Sequence, residues 1–177
     1  LAEGVIIAAA IGASMVGWRP VAEIQFADFV TPAMDQLIQQ APKLRYRSAG
    51  TQTCPLTLRV CYGGGVGGGL YHSQTNTTWF AHEPGLVVVA PSNPTDAKGM
   101  LTAAIRDDNP VLFFEHKQLY RTRWPVPAEF RDPEHVIPCG RAAVRRIGGD
   151  ITVVATLTMV HHVMAAAEAL AADGVSV

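Results

Sequence analysis

A run of glycines followed by a histidine is the part of this sequence that most directly suggests chemistry. Residues 63–69 read Gly-Gly-Gly-Val-Gly-Gly-Gly and follow a predicted strand at residues 55–60. The first, third and sixth positions of the run match the GxGxxG pattern of dinucleotide-binding folds, but residues 70–76 do not read as the helix that the pattern requires. A P-loop is excluded because no Gly-Lys-Ser/Thr follows. The run therefore predicts a mobile loop whose backbone can approach a ligand, with a flexible surface loop as the alternative.

Three ionisable side chains near apolar or glycine-rich segments are candidates for proton transfer. His72 follows the glycines, and a histidine on a loop can exchange protons near neutral pH. The alternative for His72 is a hydrogen-bonded structural role. Glu3 and Glu23 lie among apolar residues, where carboxylates are unusual unless they are paired or functional. Glu3 also has a simpler explanation, as an acidic residue that the dipole favours in the first turn of a helix.

The sequence holds few candidates for a metal site. The segment Asp107-Asp108-Asn109 precedes Pro110 and is expected to form a turn, although its oxygen atoms are also suitable ligands for a hard cation. The remaining histidines lack the spacing of metal ligands, and we expect them to be structural or surface residues: His82, His116, His135, His161 and His162. Three cysteines without a CxxC pair argue against a disulfide framework or a zinc site and favour a reducing compartment.

Composition narrows the class of protein. The chain has 177 residues, of which 49% are hydrophobic and 16% charged, and its formal net charge is −1. Such a chain can bury a sizeable core, and its near-neutral charge argues against binding to nucleic acid or to an anionic membrane. The apolar run at residues 4–18 is too short to span a bilayer, and no basic segment precedes it as in a secretory signal. We expect the chain to be a fragment, cut at both ends.

The pattern of apolar residues predicts an α/β fold with a parallel sheet flanked by helices. Strands and helices alternate along the first two thirds of the chain, which is typical of βαβ units. Thr31 and Pro32 are expected to cap and begin one helix, and Asn93 another. The predicted strands are residues 21–26, 55–60, 85–90, 111–115 and 150–157, and the predicted helices begin near residues 4, 31, 93 and 159.

Read together, several of these segments resemble one family. The resemblance is to the beta subunit of the thiamine-diphosphate-dependent 2-oxoacid dehydrogenases, whose complexes act on pyruvate, branched-chain 2-oxoacids or acetoin. It covers residues 1 to about 121. The segments that carry it are LAE at the start, GASMVGWRPVAEIQFADF, KLRYRSAG, YHSQ, PGLVVVAPS, DAKG and AAIRDDNPVLFFEHKQLYR.

The resemblance also implies a division into domains. Residues 1–121 would form a transketolase-type pyrimidine-binding domain whose N-terminal part is missing. Residues 122–140, which contain four prolines, would form a linker. Residues 141–177 would begin the family's C-terminal transketolase domain, a second α/β unit that is truncated.

The resemblance implies a role for particular residues. Glu3 matches the glutamate that hydrogen-bonds a pyrimidine nitrogen of thiamine diphosphate, and a carboxyl in an apolar pocket can exchange a proton there. Phe29 matches the aromatic residue that stacks on the pyrimidine ring, and Gln25 a neighbour in the same pocket. His72 matches the active-site loop histidine that handles the lipoyl group or the substrate. Positions that bind a structural potassium ion are matched by Leu56, Ala104, Ile105, Asp107 and Asn109.

Partners follow from the same resemblance. The family's Gly-Asp-Gly motif, which holds magnesium and the diphosphate, does not occur in this sequence. An alpha subunit is therefore expected to supply that half of the site in an α2β2 heterotetramer, which would dock onto a lipoyl-bearing acyltransferase core. We expect a cytoplasmic location of the bacterial type, with the mitochondrial matrix as the alternative. Other interpretations are an acetoin dehydrogenase subunit, a non-catalytic scaffold of the same fold, and a dinucleotide-binding domain.

Overall fold

The computed structural model describes residues 2–177, and most of its elements lie where the sequence predicts them. Within that range four strands are formed: β1 (Val21–Ile24), β2 (Thr57–Tyr62), β3 (Val87–Val89) and β4 (Val111–His116). The α-helices are α1 (Glu3–Met15), α2 (Leu44–Arg47), α3 (Thr77–Ala81), α4 (Pro94–Arg106), α5 (Ala128–Arg131) and α6 (Thr158–Ala172). Short 3-10 helices cover Ala27–Ala33, Leu70–His72 and Leu119–Arg121, and a π-helix covers Asp35–Gln40.

The four strands form one parallel sheet in the order β1-β2-β4-β3. The longest ladder joins β2 to β4, in register from Thr57 opposite Val111 to Tyr62 opposite His116. Because all strands run in the same direction, their carboxyl ends lie at one edge of the sheet. Ligands of open α/β sheets bind beyond that edge.

Residues of β4 alternate between two apolar clusters, which explains why the strand is a continuous apolar run. Leu112 and Phe114 belong to a large cluster that includes residues of α1 and of the segment 27–44. Val111 and Phe113 belong to a smaller cluster on the other face, against which residues of α4 pack. The sheet therefore lies between two layers of helix, and both faces are covered as in other parallel sheets.

The second predicted helix does not begin at Thr31 as the sequence predicts. Thr31 and Pro32 do not cap a helix, because they lie inside the 3-10 helix Ala27–Ala33. Three side chains of that helix are fully buried at a spacing of three residues: Ala27, Val30 and Ala33. A 3-10 helix has three residues per turn, so it places all three on the core. Tertiary packing outweighs the local capping preference of Thr31 here.

The predicted strand at residues 150–157 is also wrong. This segment has no regular structure, and Val154 is 89% exposed. A strand needs a neighbour for its ladder, and within residues 2–177 the segment finds only the carbonyl of Ser176, which accepts from Asp150 N and Ile151 N. Leu157 is nevertheless buried in the large cluster, and the helix predicted after it is confirmed as α6.

The proline-rich segment 122–140 lies along α4. Lys98 Nζ donates to the carbonyl oxygens of Phe130, at 2.7 Å, and of Asp132. The backbone N–H of Ile137 donates to the Gly99 carbonyl at 3.1 Å, and a Cβ at Gly99 would overlap Ile137. These contacts explain the Lys98-Gly99 pair of the sequence. The domain limits at residues 121 and 140 remain predictions. No helix within residues 2–177 combines the length and apolarity needed to cross a membrane.

Candidate active site

A cleft opens at the carboxyl edge of the sheet. Its volume is about 530 Å³. Residues that follow β1 and β4, the end of β2 and the glycine run all contribute to its walls. It is lined by Gln25, Phe26, Cys61, Val66, Gly68, His72, Lys117, Tyr120 and Arg121. The position agrees with the rule for open α/β sheets, so we take this cleft as the candidate active site.

His72 lies against two aromatic rings at one wall of the cleft. Its imidazole meets the ring of Phe26 edge-on at 4.6 Å between centroids and that of Phe29 at 5.4 Å. The Nδ1 atom of His72 lies 3.1 Å from the carbonyl oxygen of Gly68. Because a carbonyl only accepts, Nδ1 is the nitrogen that carries hydrogen. In the neutral ring Nε2 is then left as the acceptor.

The glycine run is a loop, as predicted, and its conformation requires glycine at several positions. The backbone has positive φ at Gly63, Gly65, Gly67 and Gly69. At Gly63 a side chain is also excluded sterically, because a Cβ there would overlap the ring of His116. The run leads into a turn of only three residues rather than a helix. A dinucleotide fingerprint needs a helix N-terminus at this point, so the structure does not support that interpretation.

Lys117 connects the His72 segment to the sheet. It follows β4, and its backbone N–H continues the ladder by donating to the Tyr62 carbonyl at 3.2 Å. Its Nζ donates to the carbonyl oxygen of His72 at 2.6 Å and lies 4.7 Å from the centre of the Phe26 ring. Burial lowers the pKa of Lys117, and the negative charge of Asp28 acts in the opposite direction.

The second wall of the cleft is held by a network of charges on the sheet. Arg59 of β2 donates to Glu23 of β1 at 2.7 Å and to both carboxylate oxygens of Glu115 of β4, at 2.8 and 3.1 Å. Tyr120 donates its hydroxyl hydrogen to Glu115 at 2.7 Å, and Cys61 Sγ lies 3.0 Å from the same hydroxyl oxygen. Burial raises the pKa of the Cys61 thiol, so this sulfur is protonated at neutral pH. Glu23 is a structural carboxylate, because it is paired with Arg59.

Glu3 begins α1 and does not line the cleft. One of its carboxylate oxygens, Oε2, is buried without a hydrogen-bond partner among the described residues. The next residue, Gly4, lies so close to the Pro32 carbonyl that a Cβ would be 2.9 Å from its oxygen. The start of α1 is thus packed tightly on the 27–33 helix. A buried carboxylate oxygen without a partner is costly and is suited to a ligand that shares its proton.

The five predicted potassium ligands lie close together but already make hydrogen bonds. Arg19 Nη1 donates to the carbonyl oxygens of Ile105, at 3.3 Å, and Asp107, at 2.8 Å. The Asp107 carboxylate accepts from the backbone and side-chain N–H groups of Asn109, whose Oδ1 accepts from Arg45. Two further carbonyls, those of Leu56 and Ala104, accept from Val111 N and Asp107 N. Each carbonyl retains a second lone pair for a cation.

The structure brings together some of the predicted site residues and adds others. His72 and Gln25 line the cleft, and Phe29 contacts His72 from behind. Lys117, Phe26 and Tyr120 were not predicted. One signal was present for Lys117 and Phe26, because Phe26 ends the predicted strand 21–26 and Lys117 lies two residues beyond the predicted strand 111–115. Both are therefore at the edge where ligands of parallel sheets bind. The contact between Lys117 and the His72 carbonyl spans 45 positions, which local patterns do not reveal.

Comparisons with known proteins agree with this fold. The pyrimidine binding domain of transketolase matches residues 1–123, so the chain belongs to this family. A solved structure described as a split-gene transketolase, inactive beta4 tetramer, superimposes with a TM-score of 0.77 at 23% identity, covering 99% of this chain and 52% of the other. At that identity the likeness concerns the fold alone.

Curated relatives carry the names of dehydrogenase subunits. A 2-oxoisovalerate dehydrogenase subunit beta of Bacillus subtilis is 52% identical over 177 residues, 99% of this chain and 53% of the relative. The pyruvate dehydrogenase E1 component subunit beta of the same organism is 45% identical over the same shares. An acetoin:2,6-dichlorophenolindophenol oxidoreductase subunit beta of Cupriavidus necator is 43% identical over 99% of this chain and 51% of the relative. The chain spans about half the length of these relatives.

The contact between Gly68 and His72 gives a first test of the site. A Cβ at Gly68 would lie 2.8 Å from the Cβ of His72, whereas a Cβ at Gly64 would meet nothing within 4 Å. Neither glycine has a positive φ. We therefore expect Gly68→Ala to displace His72 from Phe26 and Phe29, and Gly64→Ala to leave it in place. Crystal structures of the two variants check this, and an unmoved imidazole in Gly68→Ala would contradict the described packing.

Proposed function

We propose that this chain is part of the beta subunit of a thiamine-diphosphate-dependent 2-oxoacid dehydrogenase. The reaction is the oxidative decarboxylation of a 2-oxoacid with transfer of the acyl group to a lipoyl group. The observation that carries the proposal is the buried, unpartnered carboxylate oxygen of Glu3 in a chain of the transketolase pyrimidine-binding family. A branched-chain 2-oxoacid is the first candidate substrate, because the 2-oxoisovalerate relative is more similar than the pyruvate and acetoin relatives.

The residues present fit the pyrimidine half of the cofactor. Glu3 Oε2 has no hydrogen-bond partner among residues 2–177, so it is available to a ring nitrogen. Phe29 would contribute an aromatic surface, and Gln25 a polar side chain at the cleft. When bound, thiamine diphosphate supplies the carbon nucleophile and the electron sink for decarboxylation. Glu3 would hold or release the proton at the ring nitrogen.

His72 would accept and donate protons at the cleft. The Nδ1–H group is directed to the Gly68 carbonyl, which fixes the tautomer of the neutral ring. Nε2 is thereby the atom available to accept a proton from a thiol or a substrate. The Phe26 and Phe29 rings restrict the imidazole from two sides. This arrangement suits a general acid-base group that acts during acyl transfer.

An alpha subunit would complete the site. It would bind magnesium and the diphosphate, for which this sequence has no Gly-Asp-Gly motif. The assembly would be an α2β2 heterotetramer that delivers the acyl group to a lipoyl-bearing acyltransferase core. We propose that the complex is located in the cytoplasm, as a bacterial complex would be. The alternative location is the mitochondrial matrix. The acetoin relative makes an acetoin dehydrogenase beta subunit the second candidate.

Substrate oxidation by the assembled enzyme tests the proposal directly. The full-length chain would be co-expressed with its alpha subunit and loaded with thiamine diphosphate and magnesium. We expect dye reduction with 2-oxoisovalerate to exceed that with pyruvate, 2-oxoglutarate or acetoin. Preference for acetoin would favour the second candidate. No turnover from an assembled, cofactor-loaded complex would contradict the proposal and favour a non-catalytic scaffold.

The role of Glu3 can be tested by a charge-neutral substitution. We expect Glu3→Gln to lower the decarboxylation rate by about 10²- to 10⁴-fold, because the amide cannot exchange a proton with the pyrimidine nitrogen. Gel filtration should show intact assembly. The matched control is Glu23→Gln, which removes a carboxylate that is half exposed and paired with Arg59. An active Glu3→Gln enzyme would contradict the role given to this side chain.

Potassium binding would be visible as a salt-specific gain in stability. A ligand that binds only the folded state raises its melting temperature. We expect the assembled protein to melt a few degrees higher in potassium chloride than in sodium chloride at equal ionic strength. The difference should shrink in Asp107→Asn, which removes the only anionic ligand of the predicted set. Equal melting in both salts would contradict the site and leave Arg19 as the cation that holds these carbonyls.

A further inference from the structure

The His72 segment makes few hydrogen bonds that could hold it in place. Within the described residues, the hydrogen bond from Lys117 is the only one that links the stretch between Gly64 and Ser73 to the rest of the protein. The other bonds of His72 are local, to Gly68 and Gly69. Leu70 and Tyr71 do not help, because their side chains are 72% and 68% exposed. Glycine-rich backbone also has the largest conformational freedom to lose.

Lys117, in contrast, is attached to the most regular part of the structure. Its backbone continues the β2–β4 ladder through the bond to Tyr62. Its ammonium group bridges two parts of the cleft wall, the His72 carbonyl and the Phe26 ring. Phe26 in turn contacts the imidazole of His72. A single side chain thus fixes both the backbone of His72 and the aromatic surface that restricts its ring.

We propose that Lys117 is a positioning residue, which holds the glycine-rich loop so that His72 faces the cleft in one orientation. The proposal rests on the function given above to His72. A charged donor makes a stronger bond to a carbonyl than a neutral one does, and the cation-π contact adds to it. Loss of the ammonium leaves residues 64–73 with local bonds only, and the next link to the rest of the protein is the bond from Gln74 N to Asp28 Oδ1 at 3.3 Å. The imidazole then samples orientations from which proton transfer fails.

A different role for Lys117 would be direct binding of the substrate carboxylate, since Lys117 and Arg121 both line the cleft. The geometry favours positioning, because the ammonium already donates to a backbone carbonyl and lies over a ring. The two roles predict different kinetics. A carboxylate ligand would raise KM for the 2-oxoacid, whereas a positioning residue lowers the rate of the step that His72 performs.

The first experiment measures the loop without relying on catalysis. Hydrogen exchange of peptides covering residues 63–76 would be followed by mass spectrometry in the assembled, full-length enzyme. Lys117→Met retains the apolar stem over Phe26 and removes the donor. The matched control is Lys98→Met, because Lys98 also donates to backbone carbonyls and lies 5.7 Å from the ring of Phe130, away from the cleft. We expect faster exchange in the loop for Lys117→Met only.

The second experiment measures the two half-reactions separately. We expect Lys117→Met to slow acyl transfer to a lipoylated domain by about 10- to 100-fold, the cost of a displaced catalytic group. Dye-coupled decarboxylation and KM for the 2-oxoacid should stay within about threefold. Lys117→Arg should restore most of the transfer rate, because arginine also carries a long cationic donor. The double variant His72→Ala/Lys117→Met should be no slower than His72→Ala alone.

The outcomes distinguish a failure of the positioning role of Lys117 from a failure of the function proposed for His72. Unchanged exchange in Lys117→Met, or effects of His72→Ala and Lys117→Met that multiply, would overturn the positioning role. A raised KM without a change in acyl transfer would overturn it in favour of carboxylate binding. If His72→Ala retains full acyl transfer, the function proposed for His72 is wrong, and the positioning role in catalysis falls with it. Faster exchange in Lys117→Met would then still show that Lys117 holds the loop.

Discussion

The parallel ladder between β2 and β4 is the constraint on which the site depends. Its register places Tyr62 opposite His116, so the two strands end at the same level. The chain beyond β2 is the glycine loop, and the chain beyond β4 begins with Lys117. Because β1 pairs with β2 in the same direction, Gln25 and Phe26 emerge beside them. A shift of one residue in this register would move Lys117 to the opposite face of the sheet and away from His72.

A network of charges within the sheet makes one wall of the cleft rigid. Arg59 lies on β2 and bonds to a carboxylate on each neighbouring strand, Glu23 on β1 and Glu115 on β4. Bidentate pairs of this kind are directional, and loss of one partner leaves the other charge without compensation. Tyr120 joins the network through Glu115 and so fixes the turn Leu119–Arg121, which also lines the cleft.

Much of the fold follows from local patterns in the sequence, whereas much of the site does not. The buried run at 111–115 and the cap at Asn93 predict β4 and α4 because burial and capping depend on neighbouring residues. The prediction of a strand at 150–157 is wrong, because this segment has no strand to pair with among residues 2–177. The prediction that Thr31 caps a helix is wrong, because side chains buried at a spacing of three residues favour a 3-10 helix there. Family resemblance predicted Gln25 and His72 as site residues, and both line the cleft. The bond from Lys117 joins residues 45 positions apart, so only the folded chain reveals it.

The two walls of the cleft differ in the number of hydrogen bonds that hold them, and the strength of the Lys117 bond decides how firmly the His72 loop is held. A hydrogen bond from a charged donor contributes about 1.5–3 kcal/mol, which corresponds to a ratio of held to released loop of roughly 10 to 140. A weaker bond would leave His72 without a defined orientation for much of the time. Within the described residues no second bond of this kind links residues 64–73 to the rest of the protein. The orientation of His72 therefore depends on one charged side chain that is attached to the sheet.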